Sequence, residues 1–100
     1  MNIRQLTEKM NDLVHSKNWD SNNSKRPQTS RNIACSLVIE ASEVLEHFQW
    51  SDECVDTDEL GKELADVMLY LLQLANINNI DLEEATLKKL AINHSRTWDK

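Results

Sequence analysis

The segment Thr57-Asp-Glu-Leu-Gly-Lys-Glu-Leu-Ala-Asp-Val-Met-Leu-Tyr-Leu-Leu-Gln-Leu-Ala-Asn-Ile77 sets the architecture. Leu60, Leu64, Val67, Leu71, Leu74 and Ala75 recur at three- and four-residue spacing, which predicts one long amphipathic helix. Leu69 and Leu72 carry the apolar surface well round it. A helix of this kind is buried on more than one side, so it reads as a central helix or a dimer seam. Asp56 followed by Glu59 supplies an N-cap signal just ahead of it. Glu63 and Asp66 stand at the edge of the stripe, three residues apart, and so project from one side.

Upstream, Ser51 to Asp58 is acidic and polar and reads as a connection. The helix before it is expected from about Ser30 to Trp50, capped by Thr29 or Ser30. Ile33, Leu37, Ala41, Val44 and Phe48 form its inner face, with Ala34, Val38 and Leu45 widening it. Glu40 and Glu43 form a second pair of acids three apart, again inside an apolar run. Still further upstream, Ile3, Leu6, Met10, Leu13 and Val14 predict a helix over about Ile3 to Lys17. The polar stretch Asp20 to Thr29 holds the only proline and is a loop. A loop this long in a small domain is mobile or functional. Downstream, Asn76 to Ile80 is a short turn. Asp81 with Glu84 caps a fourth helix, where Leu82, Ala85, Leu87 and Leu90 pack inward.

The expectation is therefore an all-α, four-helix bundle-like fold, with residues 1–100 as a single domain. One Gly and one Pro in 100 residues disfavour a turn-rich β architecture. A formal charge of −6 argues against a nucleic-acid polymer as partner, because the chain repels the phosphate backbone. A small phosphorylated ligand is compatible, since a bound metal ion reverses the local sign. Cys35 and Cys54 form no CxxC pair, and two cysteines build no disulfide framework. They read as reduced thiols of a cytoplasmic protein. No apolar run approaches the roughly 20 residues of a membrane span, and the N-terminus lacks the apolar segment of a signal peptide.

Packing the two acid-bearing helices together would bring four carboxylates close. At about 5 Å and an effective dielectric of ~20, each pair repels by about 3 kcal/mol. A divalent cation compensates such a cluster. An all-oxygen donor set selects Mg²⁺ or Mn²⁺ over Zn²⁺. The plainer alternative is that the four acids are solvated helix faces. Di-iron chemistry would need Glu-x-x-His pairs, and His47 lies four after Glu43 instead. HExxH and Gly-rich phosphate loops are absent.

These residues resemble a known family. Glu40-Ala-Ser-Glu43-Val-Leu-Glu-His-Phe-Gln-Trp50 followed by Glu63-Leu-Ala-Asp66-Val-Met-Leu-Tyr70 is similar to the ExxE, spacer, ExxD pattern of the MazG-like nucleotide pyrophosphohydrolases. Lys89-Leu-Ala-Ile-Asn93-His-Ser-Arg96 resembles the family's Lys-x-x-x-Asn-x-x-Arg segment. The matches span about Trp19 to Arg96. One departure follows: the family's Arg is usually continued by Tyr-Pro, and here Thr97-Trp98 stands in its place. The resemblance implies Mg²⁺-dependent hydrolysis of a nucleoside triphosphate to monophosphate and pyrophosphate. It implies Glu40, Glu43, Glu63 and Asp66 as metal-binding and catalytic residues, with Mn²⁺ as a substitute metal. It also implies a homodimer or a tetramer built as a dimer of dimers, and a likeness to the short members that act on deoxynucleotides to cleanse the nucleotide pool.

Lys89, Asn93 and Arg96 sit at helical spacing and are candidates to hold phosphate oxygens. Cations at a helix C-terminus also simply balance its dipole. Lys25, Arg26 and Arg31 are weaker candidates, from a loop that could fold over a nucleotide. Trp19 and Trp50 align with aromatic positions that hold the base in related members, and a Trp face stacks on any base. Both would serve equally as core residues. Tyr70, one turn beyond Asp66, is a candidate for the sugar or the metal shell, and would serve equally as a core tyrosine. Glu46 and Glu59 read as outer partners or solvated surface, Trp98 as terminal packing, and His15, His47 and His94 as surface or edge. Two other functions compete: pyrophosphohydrolysis of a different nucleotide such as phosphoribosyl-ATP, and a catalytically silent helical assembly module.

Overall fold

A computed structural model describes residues 1–17, 19 and 24–96. Trp98 and the first part of the polar stretch, Asp20 to Asn23, lie outside the described residues. Among those described there are four helices and no strand: α1 (Ile3–Ser16), α2 (Ser30–Glu46), α3 (Thr57–Ile77) and α4 (Leu82–Ser95). The all-α expectation holds.

Each helix starts where a short polar side chain can accept from its free amides. Asn2 and Gln5 form a reciprocal capping box on α1, with both bonds at 2.9 Å. Thr29 Oγ1 accepts from Asn32 N at 3.2 Å. Asp56 and Asp81 each accept from the amide three residues on, both at 3.0 Å. Asp58, Glu59, Glu83 and Glu84 add negative charge to the first turns of α3 and α4, where the helix dipole favours it. After α3, Asn79 adopts φ 56°, the left-handed conformation that asparagine tolerates better than most residues. Ile80 N then donates back to Ala75 O at 2.8 Å, and the chain reverses into α4.

The second helix is shorter than its sequence suggests. It ends at Glu46, and the amides of His47, Phe48 and Gln49 bond to carbonyls three residues back. Such tightened turns are a common way for a helix to terminate. Trp50 therefore stands beyond the helix rather than closing it.

The core lies between α1 and α3. Leu72, 1% exposed, packs with Met10 and Val14, and Ile3, Leu6, Met68 and Leu82 surround them. Leu72 belongs to the wide apolar surface that reads as a central helix or a dimer seam; here α1 covers it, as for a central helix. α2 packs on α3, α1 also packs on α3, and α4 touches α1. Beyond Leu82 the inward packing expected of α4 is not found. Leu87 and Leu90 are each more than half exposed, and no residue of α4 is buried. The radius of gyration, 16.1 Å, exceeds the ~13 Å of a close-packed chain of this length. Val38, Leu45, Leu64 and Ile92 are also more than half exposed. Among the described residues, no helix is long and apolar enough to cross a membrane.

Candidate active site

α2 contributes Glu40 and Glu43 and α3 contributes Glu63 and Asp66, and the packing of these two helices brings the other three acids within electrostatic reach of Glu40. Glu40 registers this most. Its carboxyl is pushed above its ordinary value, first by burial, then by a hydrogen bond shared with Glu43, then by the negative charges of Glu43, Asp66 and Glu63. Such a bond requires one proton between two carboxyls, which is why it raises the value. Glu40 Oε2 is buried and has no hydrogen-bond partner. A buried carboxylate oxygen without a donor is costly unless a cation meets it. Asp66 lies at the exposed rim of the group. Among the described residues, no three His, Cys, Asp or Glu side chains already stand as a closed ligand set.

One reason is visible at Glu63. His47 Nε2 donates to Glu63 Oε2, joining the C-cap of α2 to α3. The other ring nitrogen lies 3.6 Å from Cys54 Sγ, and Cys54 in turn contacts Asp56 O at 3.2 Å. The sequence places His47 at the surface or the edge, with no ligand spacing. It is half-buried and engaged with a candidate metal ligand, as imidazoles that orient carboxylates are. Glu59, read as outer partner or solvated surface, lies in solvent and pairs with Lys62 at 3.0 Å.

The aromatic candidates separate. Trp19 and Tyr70 line one cleft of about 400 Å³, together with Lys25, Arg26, Gln28 and Gln73. Trp19 is held at its mouth by a bond from its own amide to Val14 O at 3.0 Å, at the end of α1. Trp50 is 90% exposed and does not line that cleft. Gln73 was not singled out in the sequence, yet it is the buried polar side chain of α3. An amide inside Leu71-Leu72-Gln73-Leu74 is itself a signal, because buried polar groups need partners.

The phosphate candidates are not brought onto the acids within one chain. Lys89 and Arg96 are exposed, and α4 makes no substantial packing with α2 or α3. Asn93 Oδ1 is nevertheless buried without a partner.

Comparison with known proteins identifies the family. Residues 28–98 match the MazG nucleotide pyrophosphohydrolase domain. The chain is 36% identical to human dCTP pyrophosphatase 1 and 33% identical to the mouse protein, in each case over 75 residues. Those matches cover 66% of this chain and 44% of each relative, so the chain spans less than half the length of the mammalian proteins it matches. A pyrophosphatase from Archaeoglobus fulgidus DSM 4304 superposes with a TM-score of 0.76 at 30% identity, covering 90% of this chain and 86% of that one. With the domain match extending over most of its length, the chain belongs to the MazG nucleotide pyrophosphohydrolase family.

Proposed function

We propose that this protein hydrolyses nucleoside triphosphates, deoxynucleotides among them, to the monophosphate and pyrophosphate, and that it serves to cleanse the nucleotide pool. The observation that supports this most is Glu40: a buried, partnerless oxygen whose carboxyl feels the charge of three further acids from two helices. Those donors suit a hard divalent cation, Mg²⁺ or Mn²⁺. Bound there, the metal would neutralise phosphate charge and supply a Lewis acid for attack at phosphorus.

The chain's own residues divide the remaining work. Glu40, Glu43, Glu63 and Asp66 hold the cation, and a carboxylate of the set orients or deprotonates the attacking water. His47 keeps one Glu63 oxygen in place. Trp19 and Tyr70 stack on the base and meet the sugar, and Trp50 covers the base from a neighbouring surface. Lys89, Asn93 and Arg96 hold the phosphates.

Because α4 lies off the acid helices in one chain, we place these grips at a homo-oligomeric interface, in a dimer or a dimer of dimers. Val38, Leu45, Leu64, Leu87, Leu90 and Ile92 offer the apolar surface for it. We place the protein in the cytoplasm, in keeping with its free cysteines. The test is product analysis on a panel of ribo- and deoxynucleotides. Pyrophosphate should appear with Mg²⁺ and vanish with chelator. Diphosphate as first product, or no release from any nucleotide, would overturn the reading.

A further inference from the structure

His47 is the C-cap of α2, Glu63 lies in the second turn of α3, and Cys54 sits in the connection between the two helices. The imidazole meets both side chains. Its Nε2 is bonded to Glu63 Oε2, and its Nδ1 lies 3.6 Å from Cys54 Sγ. Cys54 is tied in turn to Asp56 O at 3.2 Å, at the N-cap of α3. The ring is thus held on both edges, and its side chain is 16% exposed. An ionised carboxylate can only accept, so the ring nitrogen facing Glu63 carries the proton and donates it.

That bond decides how many oxygens Glu63 can offer a cation. A carboxylate binds a metal through one oxygen or chelates it through two. With Oε2 engaged by a fixed N–H donor, chelation would cost a charge-assisted hydrogen bond. Oε1 is the oxygen left to meet the metal. Mg²⁺ takes about six ligands at roughly 2.0–2.1 Å and keeps several waters, so single oxygens suffice for it. Ca²⁺ takes about six to eight at roughly 2.3–2.6 Å and reaches the higher numbers by chelation. The two ions carry the same charge, so a cluster of acids attracts both. Ligand number is what separates them.

The geometry points to His47 as a selectivity residue for the metal: by occupying Glu63 Oε2 it keeps Glu63 a single-oxygen ligand, and so favours Mg²⁺ and Mn²⁺ over Ca²⁺. This inference rests on the metal reading proposed above and deepens it.

The test reads binding rather than turnover. Calorimetry with Mn²⁺ and with Ca²⁺, on the intact protein without nucleotide, gives the ratio of the two affinities. His47→Phe fills the space and removes the donor. It should move that ratio toward Ca²⁺ by about tenfold or more, within the range that outer partners of metal ligands command. His47→Gln, which presents an N–H at similar reach, should hold the ratio near that of the wild type. In turnover with Mg²⁺, His47→Phe should be inhibited by Ca²⁺ at correspondingly lower concentration. If His47→Phe weakens both metals equally, or leaves the ratio where it was, His47 only supports the fold and the inference is overturned. A shift in His47→Gln as large as that in His47→Phe overturns it too. Should circular dichroism show His47→Phe unfolded, His47→Leu makes the same removal with a smaller side chain and is judged by the same ratio. A wild type that binds neither cation overturns the metal site itself. Binding of Mn²⁺ with an unmoved ratio overturns the selectivity alone.

Discussion

The two sides of α3 are built on opposite rules. Leu72 and Glu63 are nine residues apart, about two and a half turns, and so face opposite ways. Around Leu72 the surface is apolar and closed by α1. Around Glu63 and Asp66 it is charged and half-open, with a partnerless oxygen on Glu40 across the groove. Packing of the first kind is favourable in itself. The second kind costs stability in the free protein at neutral pH and is relieved by a proton or by a ligand of opposite sign. One helix thus carries the core on one side and the candidate site on the other.

If that division is right, the largest effect comes from the charged side. Glu63→Gln or Asp66→Asn should lower kcat by a thousandfold or more, roughly 4 kcal/mol. The far-ultraviolet circular dichroism of each variant should stay that of the wild type. Near-normal turnover in both would remove the acids from catalysis.

On the other side the order reverses. Leu72→Ala removes the best-buried side chain of the α1–α3 core and should destabilise by about 2–5 kcal/mol in chemical unfolding. Activity per folded molecule should change little. A collapse of kcat at temperatures where the variant remains folded would show that the two sides are coupled.

Next in size is the base. Trp19→Ala should weaken nucleotide binding by roughly 1–3 kcal/mol. Trp50→Ala, from a side chain lying off the cleft, should weaken binding only if a second chain completes the site. Dilution until the assembly dissociates, followed by fluorescence titration, separates those cases.

The smallest effect is also the one that distinguishes the sides by sign. Glu40 holds its proton to higher pH when folded than its ordinary value of 4.5. Its contribution to stability is therefore present below that value and is lost as pH rises through the folded one. Metal-free wild type should lose thermal stability over that rise, and Glu40→Gln should lose less of it. At neutral pH without metal the variant should melt higher than the wild type, although it turns over poorly. A variant that melts lower at every pH would mean that the acid cluster stabilises the fold.

Local chemistry was legible in the sequence. Thr29, Asp56 and Asp81 each cap the helix that follows, and the span of α3 matches its apolar periodicity. The acid pairs could be read because a three-residue spacing on a helix has one geometric meaning. What failed depended on contacts between distant residues. Leu72 on a wheel is one more apolar residue, and only the position of α1 makes it the core. The bond from His47 to Glu63 spans 16 residues, and that from Gln73 to Gln28 spans 45. No local pattern encodes either. The extent of α2 failed for a related reason: Phe48 and Trp50 continue its apolar rhythm, while the chain turns at His47.

The light attachment of α4 has a consequence for timing. With no buried residue and little packing beyond its first turn, α4 is the least protected element of a single chain. Its amides should exchange with solvent through local opening, well before those of α3 beneath α1. Lys89, Asn93 and Arg96 ride on that helix. The groups closest in character to a phosphate clamp therefore sit on or at the end of the element expected to open most readily, while Glu63 and Asp66 sit on the helix that α1 covers.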